Sequence, residues 1–511
     1  MELSLKQDQI KCYESVLDTV TTQEETMEMI VPDACPDILQ IVDTEGFVCI
    51  RGKEAKEGAA QIDGAVKTTV LYTPEGVGGV RRLSLQIPFF TKLEHASITP
   101  RTVLHVNPCV QSAETRMINP RKVLVRVQIL LHICGFTPDT MELCTGVEAE
   151  EAAGLQTLST QQSFWVVAGV SEKTFQFADS LPLSSGKPEA EEIMKFRTSI
   201  HTDDAKIIGT KMIFKGEVGL RVLYRSETGS LQTVDYTLPF SQMMEMNGVE
   251  ESATCNLTVL LSDASVTLEA SEDGSAFQVS MGFLAQAQVW EEKTVSLIAD
   301  LYSTTHSAIP QAQNHMFHTS RERALAKHPC RETMETSVLP KMTLDAYVAM
   351  SQVTLSQDGE VKVFSANAQV MVLYQGEDNG IYQAELRVPV EERVAMSPEV
   401  ACACSASCGG EVFASPVAGG IEVRFNVDFN YISMENQRVA GISNVTLEEG
   451  SESAGEDKPS VVLRLAEAGD RLWDLAKAYS STVEDICAAN ELQEEDLSVC
   501  EGKLLLIPRK R

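Results

Sequence analysis

Positive charge is scarce in this sequence. Its 511 residues include 42 Lys and Arg against 73 Asp and Glu, which gives a formal net charge of −31. Binding to nucleic acid or to an anionic membrane surface without sequence preference needs clustered cations that neutralise phosphates. We therefore expect neither nucleic acid nor direct membrane insertion, and at most a protein partner with a basic face.

Long apolar runs are also missing. The most apolar stretch, residues 123–136, is interrupted by Arg126, Gln128 and His132, and it is too short to span a bilayer. Residues 1–8 carry neither the basic nor the apolar region of a secretory signal peptide. The 13 cysteines are odd in number and form no CxxC pair, a pattern typical of reduced thiols that pack as small hydrophobes. These features predict a cytoplasmic protein.

Recognisable enzyme motifs are absent as well. The chain contains no GxSxG, HExxH, GxxxxGK or GxGxxG pattern. We therefore expect a protein that is not an enzyme, with no catalytic residues and no cofactor.

Two groups of residues could in principle ligate a metal. They are Cys402, Cys404 and Cys408, and the set of His315, His318, His328 and Cys330. The cysteines lack a fourth ligand nearby in sequence, so a strand face of small residues is the favoured interpretation. For the histidines a solvated linker is favoured, and no metal site is expected.

Repetition organises most of the chain. The tripeptide Val-Leu-Tyr occurs three times and ends at Tyr72, Tyr224 and Tyr374, spacings of 152 and 150 residues. Each copy ends a segment of alternating polarity, at residues 65–72, 216–224 and 366–374. Such alternation is typical of half-buried β-strands. A period near 150 residues is too long for a solenoid and indicates tandem duplication of an all-β domain.

Each tyrosine is followed by a turn-rich stretch and a second apolar segment that reaches a proline. Pro88, Pro239 and Pro389 lie 16, 15 and 15 residues beyond their tyrosines. The pattern predicts a β-hairpin whose second strand ends at the proline, because proline cannot donate to a ladder.

Further strands are predicted after each hairpin, and a short helix before it. The strands are residues 103–106 and 123–129, 257–261 and 277–281, and 401–405 and 421–427. Pro36 and Pro188 are each followed by acidic residues, which favours a helix that begins at the proline. Around Pro340 the third copy keeps little of this pattern.

These observations predict six segments. They are repeat 1 (1–150), repeat 2 (160–302), a linker without strands (303–337) containing a possible short helix at 320–327, a diverged repeat 3 (338–445), an acidic flexible linker (446–459) and a compact C-terminal module (460–509). The acidic linker has too few apolar residues to bury a core.

The C-terminal module has a strand–helix–helix–strand pattern. Residues 461–465 and 502–508 read as strands, and Leu472, Leu475, Ala476 and Tyr479 recur at helical spacing. Thr482 is the predicted N-cap of a second helix that ends at Asn490. The structural interpretation of Asp470 is that it caps the first helix.

Residues 460–508 resemble a LysM domain, on the segments 469–476, 482–486, 489–492 and 502–508. The repeats resemble the SPOCS domain of spore-forming Firmicutes, on residues 31–39, the Val-Leu-Tyr tripeptide and Pro88-Phe89. Together they resemble the SipL-type spore coat morphogenetic proteins of clostridia. The resemblance implies a mainly β fold, with three tandem sandwich-like SPOCS repeats and one small α/β LysM domain.

The resemblance also implies a role. Such proteins act as scaffolds in the mother-cell cytosol at the forespore surface, where the LysM domain binds the ATPase of the coat basement layer, stage IV sporulation protein A. In the LysM family two loops form a groove for N-acetylglucosamine polymers, and the corresponding residues here are Gly469, Asp470, Arg471, Leu472, Asn490, Glu491 and Leu492. Peptidoglycan is therefore the alternative ligand. Leu472 and Trp473 are also read as core residues.

Overall fold

The computed structural model describes residues 4–76, 78–148, 153–184, 186–203, 205–271, 274–448, 459–467, 469–492 and 502–509. The acidic linker predicted at 446–459 falls mostly on residues 449–458, which lie outside this part of the chain. Strands dominate the described residues, and both helices found there belong to the C-terminal module.

The first repeat is a sandwich of two β-layers. It consists of β1 (Ser4–Ile30), β2 (Ile38–Lys56), β3 (Ala59–Pro74), β4 (Arg81–Glu94), β5 (Val103–Asn119) and β6 (Lys122–Glu148). Strands β2, β3 and β4 form one antiparallel sheet with β3 in the middle, while β6 pairs with both β1 and β5. Alternate side chains of β3, β4 and β6 point between these layers and form the buried core.

The second and third repeats have the same topology. The second comprises β7 (Leu155–Pro182), β8 (Ala190–Thr202), β9 (Lys206–Ile208), β10 (Lys211–Ser226), β11 (Leu231–Glu245), β12 (Thr254–Ser271) and β13 (Gly274–Ser303). The third comprises β14 (Ser307–Glu335), β15 (Pro340–Met350), β16 (Thr354–Asp358), β17 (Val361–Gly376), β18 (Ile381–Ala395), β19 (Ala401–Val417) and β20 (Gly420–Glu448). They depart from the first in that the counterpart of β2 is split, into β8 and β9 in the second repeat and into β15 and β16 in the third.

The three repeated tyrosines occupy the same place in the three sandwiches. Tyr72, Tyr224 and Tyr374 lie on the middle strands β3, β10 and β17, and each has no exposed surface. The hydroxyls of Tyr72 and Tyr224 donate to the carbonyls of Pro36 and Pro188, at 3.1 and 3.0 Å. The Tyr374 hydroxyl lies 3.4 Å from that of Ser337 instead. The three tyrosines are equivalent in strand position and burial, as predicted.

The strands predicted to end at proline continue beyond it. Pro88 pairs with Ala65 inside β4, and the strand runs on to Glu94; Pro239 and Pro389 lie inside β11 and β18 in the same way. In the described ladders each of these strands pairs with one neighbour only. The prediction is wrong because proline is tolerated within an edge strand, where its missing N–H can face away from the ladder.

Two other expectations are corrected. Residues 303–337 do not form a strandless linker with a helix, because β14 occupies Ser307–Glu335 and pairs with β20 along its length. Only Phe317, Cys330 and Met334 of this strand are buried, so the sequence shows no clear alternation. No helix follows Pro36 or Pro188, since β2 and β8 begin two residues later.

All three repeats contribute to one buried apolar cluster, here called the junction. Its members stand at matching positions of the repeats: Val42, Met194 and Leu344; Leu71, Leu223 and Leu373; and Val80, Leu231 and the half-buried Ile381. The leucines are the middle residues of the Val-Leu-Tyr tripeptides. In each repeat the tyrosine therefore fills its own sandwich, while the preceding leucine packs against the other two repeats.

Charged side chains flank the junction and form what we call the junction network, with Asp43, Lys195 and Asp345 buried and Glu45 and Arg197 half-buried. Lys195 contacts the carboxylates of Asp43, Glu45 and Asp345 at 2.7, 3.0 and 2.9 Å. Arg197 makes two contacts with Glu45, at 2.6 and 2.8 Å, and two with Asp345, at 3.1 and 2.9 Å. Burial opposes ionisation of Asp345, but Lys195 and Arg197 hold its pKa well below the usual value.

The long strands join the repeats a second time. Strands β1, β7 and β14 meet through single residue pairs, Tyr13 with Val167 and Trp165 with His318. The rings of Phe164 and Phe317 stack there with centroids 4.0 Å apart. The repeats therefore contact one another both through their small sheets and through their long strands.

Candidate functional site: the C-terminal module

The C-terminal module has the strand–helix–helix–strand order that its sequence predicts. Its elements are β21 (Val461–Leu465), α1 (Leu472–Tyr479), α2 (Val483–Asn490) and β22 (Leu504–Pro508). The two strands pair antiparallel, from Val461 opposite Pro508 to Leu465 opposite Leu504. Leu472, Ile486 and Ile507 are fully buried between the helices and this hairpin.

The N-cap predicted from the sequence is confirmed for α2 and is wrong for α1. The side chain of Thr482 accepts a hydrogen bond from the amide of Asp485 at 3.1 Å, as predicted for the N-cap of α2. Asp470 does not cap α1, which begins after Arg471. Its carboxylate instead accepts from the amide of Glu467 at 3.0 Å and from the guanidinium of Arg464 at 3.3 Å.

The predicted groove residues differ in what they can offer a ligand. Gly469, Arg471 and Glu491 are exposed, Asp470, Asn490 and Leu492 are half-buried, and Leu472 is fully buried. The Arg471 side chain is 61 % exposed and pairs with Asp474 at 2.8 Å. The acidic residues Glu494, Glu495 and Asp496, which follow Leu492 closely in sequence, lie outside the described residues.

Asn490 and Leu492 have structural roles in the module. The Asn490 amide donates to the carbonyl of Leu506 at 2.6 Å, and its oxygen accepts from the Leu506 amide at 2.7 Å. This pair ties the end of α2 to β22. Leu492 packs against the buried core. Of the predicted groove residues, Arg471 and Glu491 thus remain as exposed charged side chains.

The outer surface of the hairpin is apolar, which the sequence analysis missed. Val461, Leu463, Leu465, Leu504 and Leu506 are each 40–61 % exposed, and we call this set the outer face. The pattern was visible in the sequence, since both strands carry apolar residues at successive positions and therefore on both faces of the hairpin. In the described part of the module, Trp473 is buried and Tyr479 half-buried, so no fully exposed aromatic ring is available to stack on a sugar.

Trp473 joins the module to the second repeat. Its indole N–H donates to a carboxylate oxygen of Asp300 at 2.8 Å, and its ring meets the edge of Tyr302 with centroids 4.9 Å apart. Lys477 also donates to Asp300, at 2.6 and 2.8 Å, and the Tyr302 hydroxyl donates to the carbonyl of Ser481 at 2.8 Å. Asp300 and Tyr302, at the end of β13, are here called the docking site.

The electrostatics of the docking site favour a charged Asp300. Burial opposes its ionisation, but Lys477 and the indole N–H together lower its pKa below the usual value. Each of the ladders β1–β6, β7–β13 and β14–β20 has a register shift near the end of its second strand. The residue that follows this shift is Gly146 in the first repeat, Asp300 in the second and Asn444 in the third. Only the second repeat therefore offers a carboxylate there.

The candidate metal ligands of the sequence analysis serve other purposes. Cys402, Cys404 and Cys408 pack against the core of the third repeat, and burial raises the pKa of Cys404 to about 12 and of Cys408 to about 11. On β14, His318 contacts Asn436 at 2.6 Å and His328 contacts Glu392 at 3.1 Å. Neither set brings three ligand atoms together within the described residues.

Comparison with known protein families agrees with this architecture. The family described as SipL, SPOCS domain matches residues 37–118 and 189–269, and the LysM domain family matches residues 467–508. The chain carries two SPOCS domains and a LysM domain. This is the composition of the SipL-type proteins that the sequence resembles. No match was found among curated proteins or solved structures.

The SPOCS matches cover the small sheet and the strand that follows it in repeats 1 and 2. The third repeat is not matched, although it has the same strands in the same order. SPOCS and LysM domains are binding and scaffold domains rather than catalytic ones. Across the described residues, no helix has both the length and the apolar character that crossing a bilayer requires.

Proposed function

We propose that this protein is a scaffold of spore coat assembly that acts in the mother-cell cytosol at the forespore surface. Its LysM domain binds the ATPase of the coat basement layer, stage IV sporulation protein A, while the SPOCS body carries other coat proteins. The observation that carries the proposal is the outer face, an exposed apolar surface on a domain without a fully exposed aromatic ring among its described residues. Apolar surface of this kind suits a protein partner better than a sugar chain.

The arrangement of the LysM domain supports the same function. Trp473 and Lys477 attach one side of the domain to the second repeat, while the five residues of the outer face stay exposed in the intact chain. Arg471 and Glu491 are the groove residues that we propose as additional polar contacts. A partner would thus meet the apolar outer face, while Arg471 and Glu491 offer charges at the ends of α1 and α2. In such contacts a few central residues dominate the affinity.

The test is binding of the full chain to the purified ATPase. We expect Leu463→Asp to weaken this binding at least about thirtyfold, equivalent to about 2 kcal/mol, because it places a charge at the centre of the apolar contact. Leu325→Asp is the matched control, since Leu325 is a 47 % exposed leucine on a strand of the third repeat. Equal binding by wild type and Leu463→Asp would contradict the proposed surface.

Peptidoglycan binding is the second candidate, and the LysM match itself favours it. Sedimentation of the full chain with purified peptidoglycan is the decisive measurement. We expect the protein to stay in the supernatant under conditions in which the ATPase is captured. Sedimentation with the glycan and no capture of the ATPase would replace the scaffold proposal by the glycan-binding one.

A further inference from the structure

Three side chains of different chemistry converge on the side of the β1–β6 pair that faces away from the core of the first repeat, next to its contact with the second repeat. His132 and Cys134 stand at alternate positions of β6 and therefore share one side of the sheet, and Asp18 of β1 pairs directly with Cys134. The Nε2 atom of His132 lies 2.6 Å from a carboxylate oxygen of Asp18 and 3.5 Å from the sulfur of Cys134. That sulfur lies 3.8 Å from the same carboxylate oxygen.

One carboxylate oxygen of Asp18 accepts from both the His132 ring and the Cys134 thiol. These hydrogen bonds leave the 3.5 Å contact between Nε2 and the sulfur without a proton of its own. Asp18 and Cys134 approach the same ring nitrogen, whereas in a proton relay they would use opposite nitrogens of the imidazole. If Nε2 carries a proton, it donates to Asp18 and cannot accept from the thiol. A cation between the three atoms would contact all of them at once.

We propose that Asp18, His132 and Cys134 form a binding site for a thiophilic divalent metal ion, with Zn²⁺ as its best match. Zinc binds carboxylate, imidazole and thiolate ligands, and at its bond lengths a tetrahedral arrangement separates ligand atoms by roughly 3.3–3.6 Å. The two distances to sulfur are close to this range. The Asp18 carboxylate would have to move outward by less than about 1 Å, and its side chain is 62 % exposed and able to do so.

The other two repeats serve as an internal comparison. At the positions that correspond by strand register, repeat 2 has Val170, Gln286 and Gln288, and repeat 3 has Arg323, Asn430 and Ile432. The fold therefore does not require an acid, an imidazole and a thiol at this place. Within the described residues, the triad is also the one group that brings three potential ligand atoms within 4.8 Å of one another.

The site would leave the fourth position of the metal open. Three protein ligands and one exchangeable position accept water, or a side chain supplied by another protein. The exposure of Asp18 and of His132, whose side chain is 42 % exposed, gives an ion access without unfolding. This inference does not depend on what the LysM domain binds.

The test uses the reduced full chain and Co²⁺ as a spectroscopic substitute for Zn²⁺. We expect one Co²⁺ per chain with a thiolate-to-metal absorption band, and displacement of that ion by Zn²⁺. Cys134→Ser should abolish the band. His132→Gln should lower the affinity for Co²⁺ more than 100-fold, because loss of a residue that only hydrogen-bonds to a metal ligand already costs roughly 10- to 100-fold. Cys404→Ser, which changes a half-buried cysteine of the third repeat, is the matched control.

Two results would overturn the proposal. One is the absence of a thiolate band in the wild type at micromolar protein with excess Co²⁺. The other is a band that persists in Cys134→Ser, or that is lost equally in Cys404→Ser. Thermal unfolding of each variant without metal shows whether a lost band reflects a lost fold. If His132→Gln is unstable, Asp18→Asn, at a more exposed position, replaces it as the second ligand variant.

Discussion

The junction of the three repeats and the docking site of the LysM domain are both contacts within one chain, but they differ in burial and in number of partners. At the junction, Lys195 and Asp345 are at most 5 % exposed and meet several charges of opposite sign. At the docking site, Asp300 is 27 % exposed and Lys477 is 42 % exposed. The first contact thus has a buried centre, with Arg197 and Glu45 beside it 23 % and 16 % exposed, whereas both partners of the second are open to water.

This difference indicates different roles for the two contacts. Breaking a buried ion pair leaves a charge without compensation, which costs several kcal/mol, whereas the loss of a partly exposed pair costs less. The junction should therefore hold the three repeats together permanently. The docking site should hold the LysM domain in a preferred place from which it can detach without unfolding the body.

The largest effect is expected at the junction network. Lys195→Met removes the cation that Asp43, Glu45 and Asp345 share, and leaves two buried carboxylates and the half-buried Glu45 without it. We expect the free energy of unfolding to fall by about 3–5 kcal/mol in chemical denaturation. Arg331→Met is the control, because the Arg331 side chain is 67 % exposed in its pair with Glu422. If Lys195→Met lowers the free energy of unfolding no more than Arg331→Met does, the junction network is no more important for stability than an exposed ion pair.

A somewhat smaller effect is expected in the apolar part of the junction. Leu223→Ala leaves a cavity among residues of all three repeats and should cost about 2–5 kcal/mol. Because the cavity is shared, we expect the three repeats to unfold in one transition, seen alike by circular dichroism and fluorescence. Leu355→Ala, at a 40 % exposed leucine, should have little effect. Separate transitions for the repeats would mean that the junction does not couple them.

A local effect is expected at the docking site. Asp300→Ala removes the acceptor of Trp473 and Lys477 and should weaken docking by about 1.5–3 kcal/mol, with no change in the melting of the repeats. Hydrogen exchange should then speed up in α1. Asn444→Ala is the matched control, since Asn444 and Asp300 each accept from the next residue's amide at 2.9 Å. Equal protection of α1 in both variants would show that Asp300 does not fix the domain.

The smallest effect on stability is expected at the exposed pair Arg471–Asp474. Arg471→Gln should change the free energy of unfolding by less than about 1 kcal/mol, because both side chains are at least half exposed. If Arg471 belongs to the binding groove, the same variant should still weaken capture of the ATPase. A stability loss as large as that of Asp300→Ala would instead assign Arg471 to the structure of the domain.

The sequence predicted the parts of the fold that are governed by local pattern. The alternation before Tyr72, Tyr224 and Tyr374 identified the middle strands, and helical spacing with Thr482 as N-cap identified both LysM helices. It failed for β14, because a strand with polar residues on both faces carries no alternation. It also ended β4, β11 and β18 at their prolines, because edge position is a property of the sheet and not of the strand.

The candidate site was predictable to a smaller extent. The sequence placed the LysM domain and its loops, but not the contact of Trp473 with Asp300, which are 173 residues apart. Nor did it relate Asp18 to His132, 114 residues away. A signal for the second existed in part, since a histidine and a cysteine at alternate strand positions share a face. The carboxylate that completes the triad depends on the register of β1 against β6.

The sequence by itself thus determined the repeats, their strands and the LysM domain, because hydrophobic periodicity and helix capping act within a few residues of the chain. The tertiary structure decided which members of these patterns meet. Tyr224 and Leu223 are neighbours in the same tripeptide, yet one fills the core of its own repeat and the other packs against two different repeats. Side chains of successive strand residues point to opposite faces, and what each face meets depends on how the sheets pack.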